Sequence, residues 1–143
     1  MGSVVERGFK PVRGRLTEGR YLVMEMNDWA LAVPSPCAPS KKASLSKKTE
    51  AHEAASQRWV AHAVKIGGNQ FTLSSNVDKR YLGRDASLCS SREGALTFTV
   101  DFQPSRGYSF QDKDTSLYLV ATEDGNLSFE ADRSYWKVFS VNY

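Results

Sequence analysis

Histidine and cysteine are scarce in this 143-residue chain, with two of each. That leaves little material for a metal site, and neither H-E-x-x-H nor C-x-x-C occurs. G-x-S-x-G is also missing, so no nucleophile elbow is written in the sequence. Glycine patterns for phosphate or dinucleotide binding are absent too. No metal, no cofactor and no catalytic residue is expected, and the chain does not read as an enzyme. Long apolar runs are lacking as well. Trp29 to Val33 is typical and ends at Pro34, far short of the roughly 18 residues of a membrane span. The net charge is only +3, too mild to imply a nucleic-acid partner without a basic stripe. Val4-Val5 runs straight into Glu6-Arg7, which is no signal peptide.

What is present suits one globular domain. Hydrophobic residues make up 41% and charged residues 24%, near the globular average. The length fits a single domain of roughly 100–150 residues. Met1-Gly2-Ser3 reads as an added start, so residues 1–18 are expected to be an appended start and N-terminal lead. A longer parent protein is expected upstream.

The main signal is a threefold internal repeat. Phe98-Thr-Val-Asp-Phe102 echoes Phe139-Ser-Val-Asn-Tyr143, and Trp59-Val-Ala-His-Ala63 is a weaker copy. Arg80-Tyr-Leu82 matches Leu117-Tyr-Leu119, with Trp29-Ala-Leu31 in that slot of the first unit. Ala43-Ser-Leu45, Ala86-Ser-Leu88 and Gly125-Asn-Leu127 follow. Each unit opens with an alternating pair: Leu22-x-Met24, Phe71-x-Leu73 and Tyr108-x-Phe110. Period-two alternation is the pattern of half-buried strands. Turn formers separate them at Asn27-Asp28, Asn76 to Lys79, Asp112 to Ser116 and Glu123-Asp-Gly125. Helical periodicity stands out only over Lys48 to Arg58, with Thr49 as N-cap. One unit cannot bury its apolar face alone. Three units closed around an axis can, and closure removes the sheet edges.

Three four-stranded units of about forty residues resemble a β-trefoil, an all-β fold of twelve strands in three repeats with pseudo-threefold symmetry. The resemblance spans 19–143, with repeats at about 19–66, 67–104 and 105–143. Gln57-Arg-Trp59 is similar to the Gln-x-Trp signature of ricin-type lectin domains; Leu96 and Lys137 stand in the Gln place of the later units. Arg15-Leu-Thr-Glu-Gly-Arg-Tyr-Leu-Val-Met-Glu-Met-Asn27, Ser56-Gln-Arg-Trp-Val60 and the terminal Phe-Ser-Val-Asn-Tyr resemble the C-terminal module of secreted fungal phosphoesterases of the non-haemolytic phospholipase C type. That resemblance implies an extracellular, secreted parent with its catalytic domain upstream.

Unit one carries two insertions. Pro34-Ser-Pro-Cys-Ala-Pro-Ser-Lys-Lys42 gives a stiff, extended loop, and a second insertion follows Leu45. Residues 1–70 hold 11 basic and 6 acidic side chains, while 71–143 hold 8 and 10. Lys41, Lys42, Lys47 and Lys48 supply part of that excess and are candidates for an anionic lipid surface, although solvated loops would look the same. Cys37 and Cys89 allow one internal disulfide, or two independent thiols. His62 falls at an outward strand position and reads as a satisfied surface histidine.

Sugar sites combine an aromatic face with a few fixed polar groups. Asp28 with Trp29, Asp78 with Arg80 and Tyr81, and Asp114 with Tyr118 place an acid and an aromatic near one hairpin of each unit. Core packing and turn chemistry explain the same residues without a ligand. Three functions remain open. The first is an accessory module that supports its parent enzyme or targets it to lipid or cell-wall surfaces. The second is a carbohydrate-binding lectin-type module, and the third is a protease inhibitor that would present the proline loop. The partners expected are a glycan or an anionic lipid surface, together with the upstream catalytic domain of the parent. The chain is expected to be a monomer.

Overall fold

The computed structural model describes residues 9–25, 29–33, 42–47, 57–65, 67–77 and 79–141. Strand β1 (Phe9–Pro11) precedes three four-stranded lobes. Lobe one holds β2 (Gly19–Met24), β3 (Trp29–Ala32), β4 (Ser44–Lys47) and β5 (Arg58–Ala63). Lobe two holds β6 (Gln70–Ser75), β7 (Tyr81–Leu82), β8 (Leu88–Cys89) and β9 (Phe98–Gln103). Lobe three holds β10 (Gly107–Asp112), β11 (Tyr118–Ala121), β12 (Leu127–Glu130) and β13 (Lys137–Val141).

The first and fourth strands of the lobes pair in succession around a ring: β13, β2, β5, β6, β9 and β10. The ring closes where Tyr108 and Trp136 exchange backbone hydrogen bonds of 2.9 and 2.7 Å. The second and third strands form a cap hairpin in each lobe: β3–β4, β7–β8 and β11–β12. This is the β-trefoil arrangement that the repeat implied.

The three lobes meet in one core. Tyr21 lies opposite Trp59, Phe71 opposite Phe98 and Tyr108 opposite Trp136. Leu31, Leu82 and Leu119 of the hairpins are all 0% exposed and complete the layer. Fully burying one such apolar side chain stabilises the fold by roughly 1.5–3 kcal/mol. The turn after the first strand is also repeated in lobes two and three. Ser75 and Asp112 accept the amides of Lys79 and Ser116 at 2.9 and 2.8 Å, and these two residues share the left-handed conformation at φ 67° and 66°.

Several registers differ from those the sequence suggested. In lobe one, Tyr21 and Val23 face the core, not Leu22 and Met24. All four are buried, because Leu22 and Met24 pack outside the barrel with Ala30 and Phe139. Alternation cannot show the inner face of a strand covered on both sides. In lobe three, Trp136 and Val138 occupy the places of Phe98 and Val100, so the echo at Phe139 is displaced by three residues. Ser134, not Lys137, therefore stands in the Gln57 place. Leu119 lies opposite Phe129, not Leu127, and Phe129 stacks on Phe98 at 6.3 Å.

The expected lead is part of the packed body from Phe9 onward. Strand β1 pairs with β13, the Val12 amide bonds to the Val138 carbonyl at 2.8 Å, and Leu16 lies in the core. Pro11 lacks an N–H and sits in an edge strand, where none is needed. The proline loop at 34–41 and most of the expected helix, 48–56, lie outside the described residues.

Candidate functional site

The aromatics of the expected acid and aromatic pairs take equivalent places in two lobes and a different one in the third. Asp28 and Asp78 lie outside the described residues. Tyr81 and Tyr118 are true equivalents, opposite Ser74 and Gln111, but the same slot in lobe one holds Ala30, opposite Met24. Trp29 is one residue earlier and so belongs to the other face of its strand. Tyr81 is half-buried and packs at 5.7 Å from the His62 ring. Arg80 is half-buried in the turn before it, where its carbonyl accepts the Ser75 amide at 2.7 Å. Asp114 is exposed and serves the turn, its amide donating to Asp112 Oδ1 at 2.9 Å. Thr115 Oγ1 donates to Asp112 Oδ2, also at 2.9 Å, so the Asp112 carboxylate is committed to turn geometry.

The remaining predicted residues lie apart from these. Lys42 is exposed and its backbone bridges to Ser87. Lys47 pairs with Trp29 across the β3–β4 hairpin. Lys41, Lys48 and Cys37 lie outside the described residues. Cys89 is a half-buried free thiol whose Sγ donates to the Gly94 carbonyl at 3.3 Å. Gly83 lies against it, because a Cβ there would meet the Cys89 sulfur and approach the Gly94 oxygen at 2.8 Å. His62 is satisfied, as expected. Its Nε2 lies 2.8 Å from Ser74 Oγ. Burial, and then the nearby Arg92, push its pKa below the ordinary 6.5, with Glu18 opposing.

The structure does bring one aromatic together with polar groups from a distant lobe. A cleft of about 290 Å3 opens between Trp29 in lobe one and the β11–β12 turn in lobe three. Trp29 is the half-exposed indole of the protein; Trp59 and Trp136 are both 0% exposed. Its amide donates to Glu25 Oε1 at 3.1 Å, fixing the strand entry. Across the cleft stand Thr122, Glu123 and Asp124. The Thr122 hydroxyl bonds to Asp124 Oδ1 and accepts the Asn126 amide at 3.0 Å. The Thr122 bond holds the Asp124 carboxyl below the usual carboxylate range. Gly125 makes the turn at φ 85°, a conformation that L side chains rarely adopt. An indole face beside carboxylate acceptors can stack on an apolar sugar face while accepting hydrogen bonds from its hydroxyls.

Trp29 and this turn are each visible in the sequence but their meeting is not, because the two belong to different lobes. The one available signal was Thr122-x-Asp124-x-Asn126, a turn in which the Thr122 hydroxyl bonds the Asp124 carboxylate and the Asn126 backbone. Among the described residues, no group of three or more His, Cys, Asp or Glu is placed to hold a metal ion. Among them too, no helix is long and apolar enough to cross a membrane.

The fold places the chain among β-trefoil proteins. No protein family and no curated protein matches the sequence. Solved structures do match. The Polyporus squamosus lectin, bound to the epitope Neu5Aca2-6Galb1-4GlcNAc, aligns with a TM-score of 0.69 at 12% identity over 88% of this chain. This chain spans only 50% of that lectin. The Rhizoctonia solani agglutinin aligns with a TM-score of 0.69 at 15% identity, covering 92% of this chain and 100% of its own. ThreeFoil, a designed threefold-symmetric protein, aligns with a TM-score of 0.62 at 13% identity over 87% of this chain and 99% of its own. At these identities the likeness concerns the fold.

Proposed function

We propose that this chain is a non-catalytic carbohydrate-binding module, with the cleft between Trp29 and the Thr122–Gly125 turn as its sugar site. The observation that carries this reading is that half-exposed Trp29 lines one cavity of about 290 Å3 together with Thr122, Glu123 and Asp124. That volume suits one sugar ring at the shallow end of ligand sites. The fold shared with the Polyporus and Rhizoctonia proteins, a lectin and an agglutinin by name, supports it. The parent is a secreted phosphoesterase of the phospholipase C type, a link that rests on the sequence motifs at 15–27 and 56–60. In that parent the module would hold the enzyme on a glycan-bearing surface such as a cell wall.

A glycan array probed with the protein and with Trp29→Ala tests this. A defined set of glycans should bind the unaltered protein, and the same set should weaken at least about tenfold with the variant. Absence of any glycan signal, or equal signals from both proteins, contradicts the proposal. Liposome sedimentation with and without anionic lipid tests the lysine-bearing lobe in parallel. Salt-sensitive binding there would favour a lipid surface as the target.

A further inference from the structure

A second cavity, of about 460 Å3, shares Glu25 and Ala121 with the Trp29 cleft. Its chemistry is opposite in sign. Arg106, from the β9–β10 turn, holds its guanidinium over the Tyr135 ring at 5.6 Å. Arg133, from the β12–β13 connection, lies over the Tyr118 ring at 5.2 Å and donates to the Tyr118 hydroxyl at 3.0 Å. Tyr135 lines the same cavity as both arginines, two residues beyond Arg133. Among the described residues, neither guanidinium has a carboxylate at ion-pair distance. The mounting is rigid. Tyr135 precedes Trp136, which is fixed by its own indole bond to Leu119 and by two backbone bonds to Tyr108. A guanidinium carries five N–H donors, so Arg133 has donors for an anion beyond the one given to Tyr118, and stacking on an aromatic face lowers the entropy lost in meeting one.

We infer that Arg106 and Arg133 form an acid subsite next to the Trp29 cleft, so that the ligand is a glycan carrying a carboxylate or a sulfate. This rests on the sugar-binding reading and extends it. The sugar ring lies against Trp29, and its acidic group or acidic neighbour reaches across the Glu25 wall to the two guanidiniums. Glu25 itself repels an anion, so it sets the boundary between the subsites and accepts from hydroxyl groups.

The test is an array of neutral glycans beside their sialylated, uronate-bearing and sulfated counterparts. It is probed with the unaltered protein, Arg106→Gln, Arg133→Gln and Trp29→Ala. Acidic members should bind the unaltered protein at least about tenfold more tightly than their neutral parents. Either arginine variant should erase most of that preference and leave neutral binding in place. A preference for carboxylate over sulfate, or the reverse, identifies the acidic group. Neutral and acidic members binding equally would overturn the acid subsite alone. A preference that survives in both arginine variants would also overturn it, placing the attraction elsewhere, such as on the lysines of lobe one. No glycan binding at all would overturn both the subsite and the sugar-binding reading. If Arg133→Gln disturbs the fold, Arg106→Gln still decides, since Arg106 serves its turn through its backbone amide.

Discussion

Lobes one and three solve the same packing problem differently from lobe two. In each lobe a hairpin leucine is buried at 0% exposure: Leu31, Leu82 and Leu119. In lobes one and three an indole satisfies its carbonyl, Trp59 Nε1 to Leu31 at 2.9 Å and Trp136 Nε1 to Leu119 at 3.0 Å. In lobe two the aromatic is Phe98, which has no donor, and the backbone amide of Leu96 bonds to Leu82 at 3.0 Å instead. Symmetry is kept in what must be buried and satisfied, not in the group that does it. The outer surface follows the same division. Trp29 and the Thr122–Gly125 turn form a cleft where lobes one and three meet, whereas lobe two closes Tyr81 over His62.

The comparison breaks most severely at the indoles. Trp136→Ala should cost about 3–5 kcal/mol, since it empties a core position and also frees the Leu119 carbonyl. Trp136→Phe should cost less, about 1–3 kcal/mol, because mainly the hydrogen bond is lost. Urea unfolding of both variants separates packing from the bond. The converse change, Phe98→Trp, tests whether lobe two can accept the solution of its neighbours. Leu82 is already served by Leu96, so the larger ring should overpack the core and cost about 1–3 kcal/mol. Increased stability would show that the slots are interchangeable.

Most of the fold was legible because its turns and hairpins repeat as short local patterns. The nine-residue steps from Leu73 to Leu82 and from Phe110 to Leu119 both span one strand end, one turn and one hairpin entry. Register was legible only where one face of a strand is exposed. At Tyr21 to Met24 both faces are buried, and the alternation slipped by one residue. In β13 the resemblance of Phe139-Ser-Val to Phe98-Thr-Val outweighed Trp136, although only Trp136 faces Tyr108. Strand β1 was missed because three residues ending in Pro11 carry little pattern. The cleft was illegible for another reason. Trp29 and Asp124 lie far apart in sequence and meet only when the barrel closes. Closure likewise brings Arg106 over the Tyr135 ring.

The smallest expected effect lies where Tyr81 of lobe two packs against His62 of lobe one. Burial lowers the His62 pKa, with Arg92 adding to the effect and Glu18 opposing it, and the Tyr81 ring packs against the imidazole. The unfolded chain takes up that proton near 6.5, above the folded value. The contribution is therefore fully present above that pH and is lost as pH falls below it. Urea midpoints of the protein and of His62→Gln, compared between about pH 7 and pH 5, should show the flatter dependence in the variant. Equal slopes would remove His62 from the account.

The division between the seam of lobes one and three and the exterior of lobe two is tested most directly by amide and indole NMR during titration with the strongest-binding glycan from the array. The protein has three indoles, and two of them are sealed in the core. Saturable shifts are expected at the Trp29 indole and at the amides of Thr122 and Asp124, with Arg80, Tyr81 and His62 unmoved. Shifts confined to lobe two, or binding that leaves the Trp29 indole unchanged, would contradict that division.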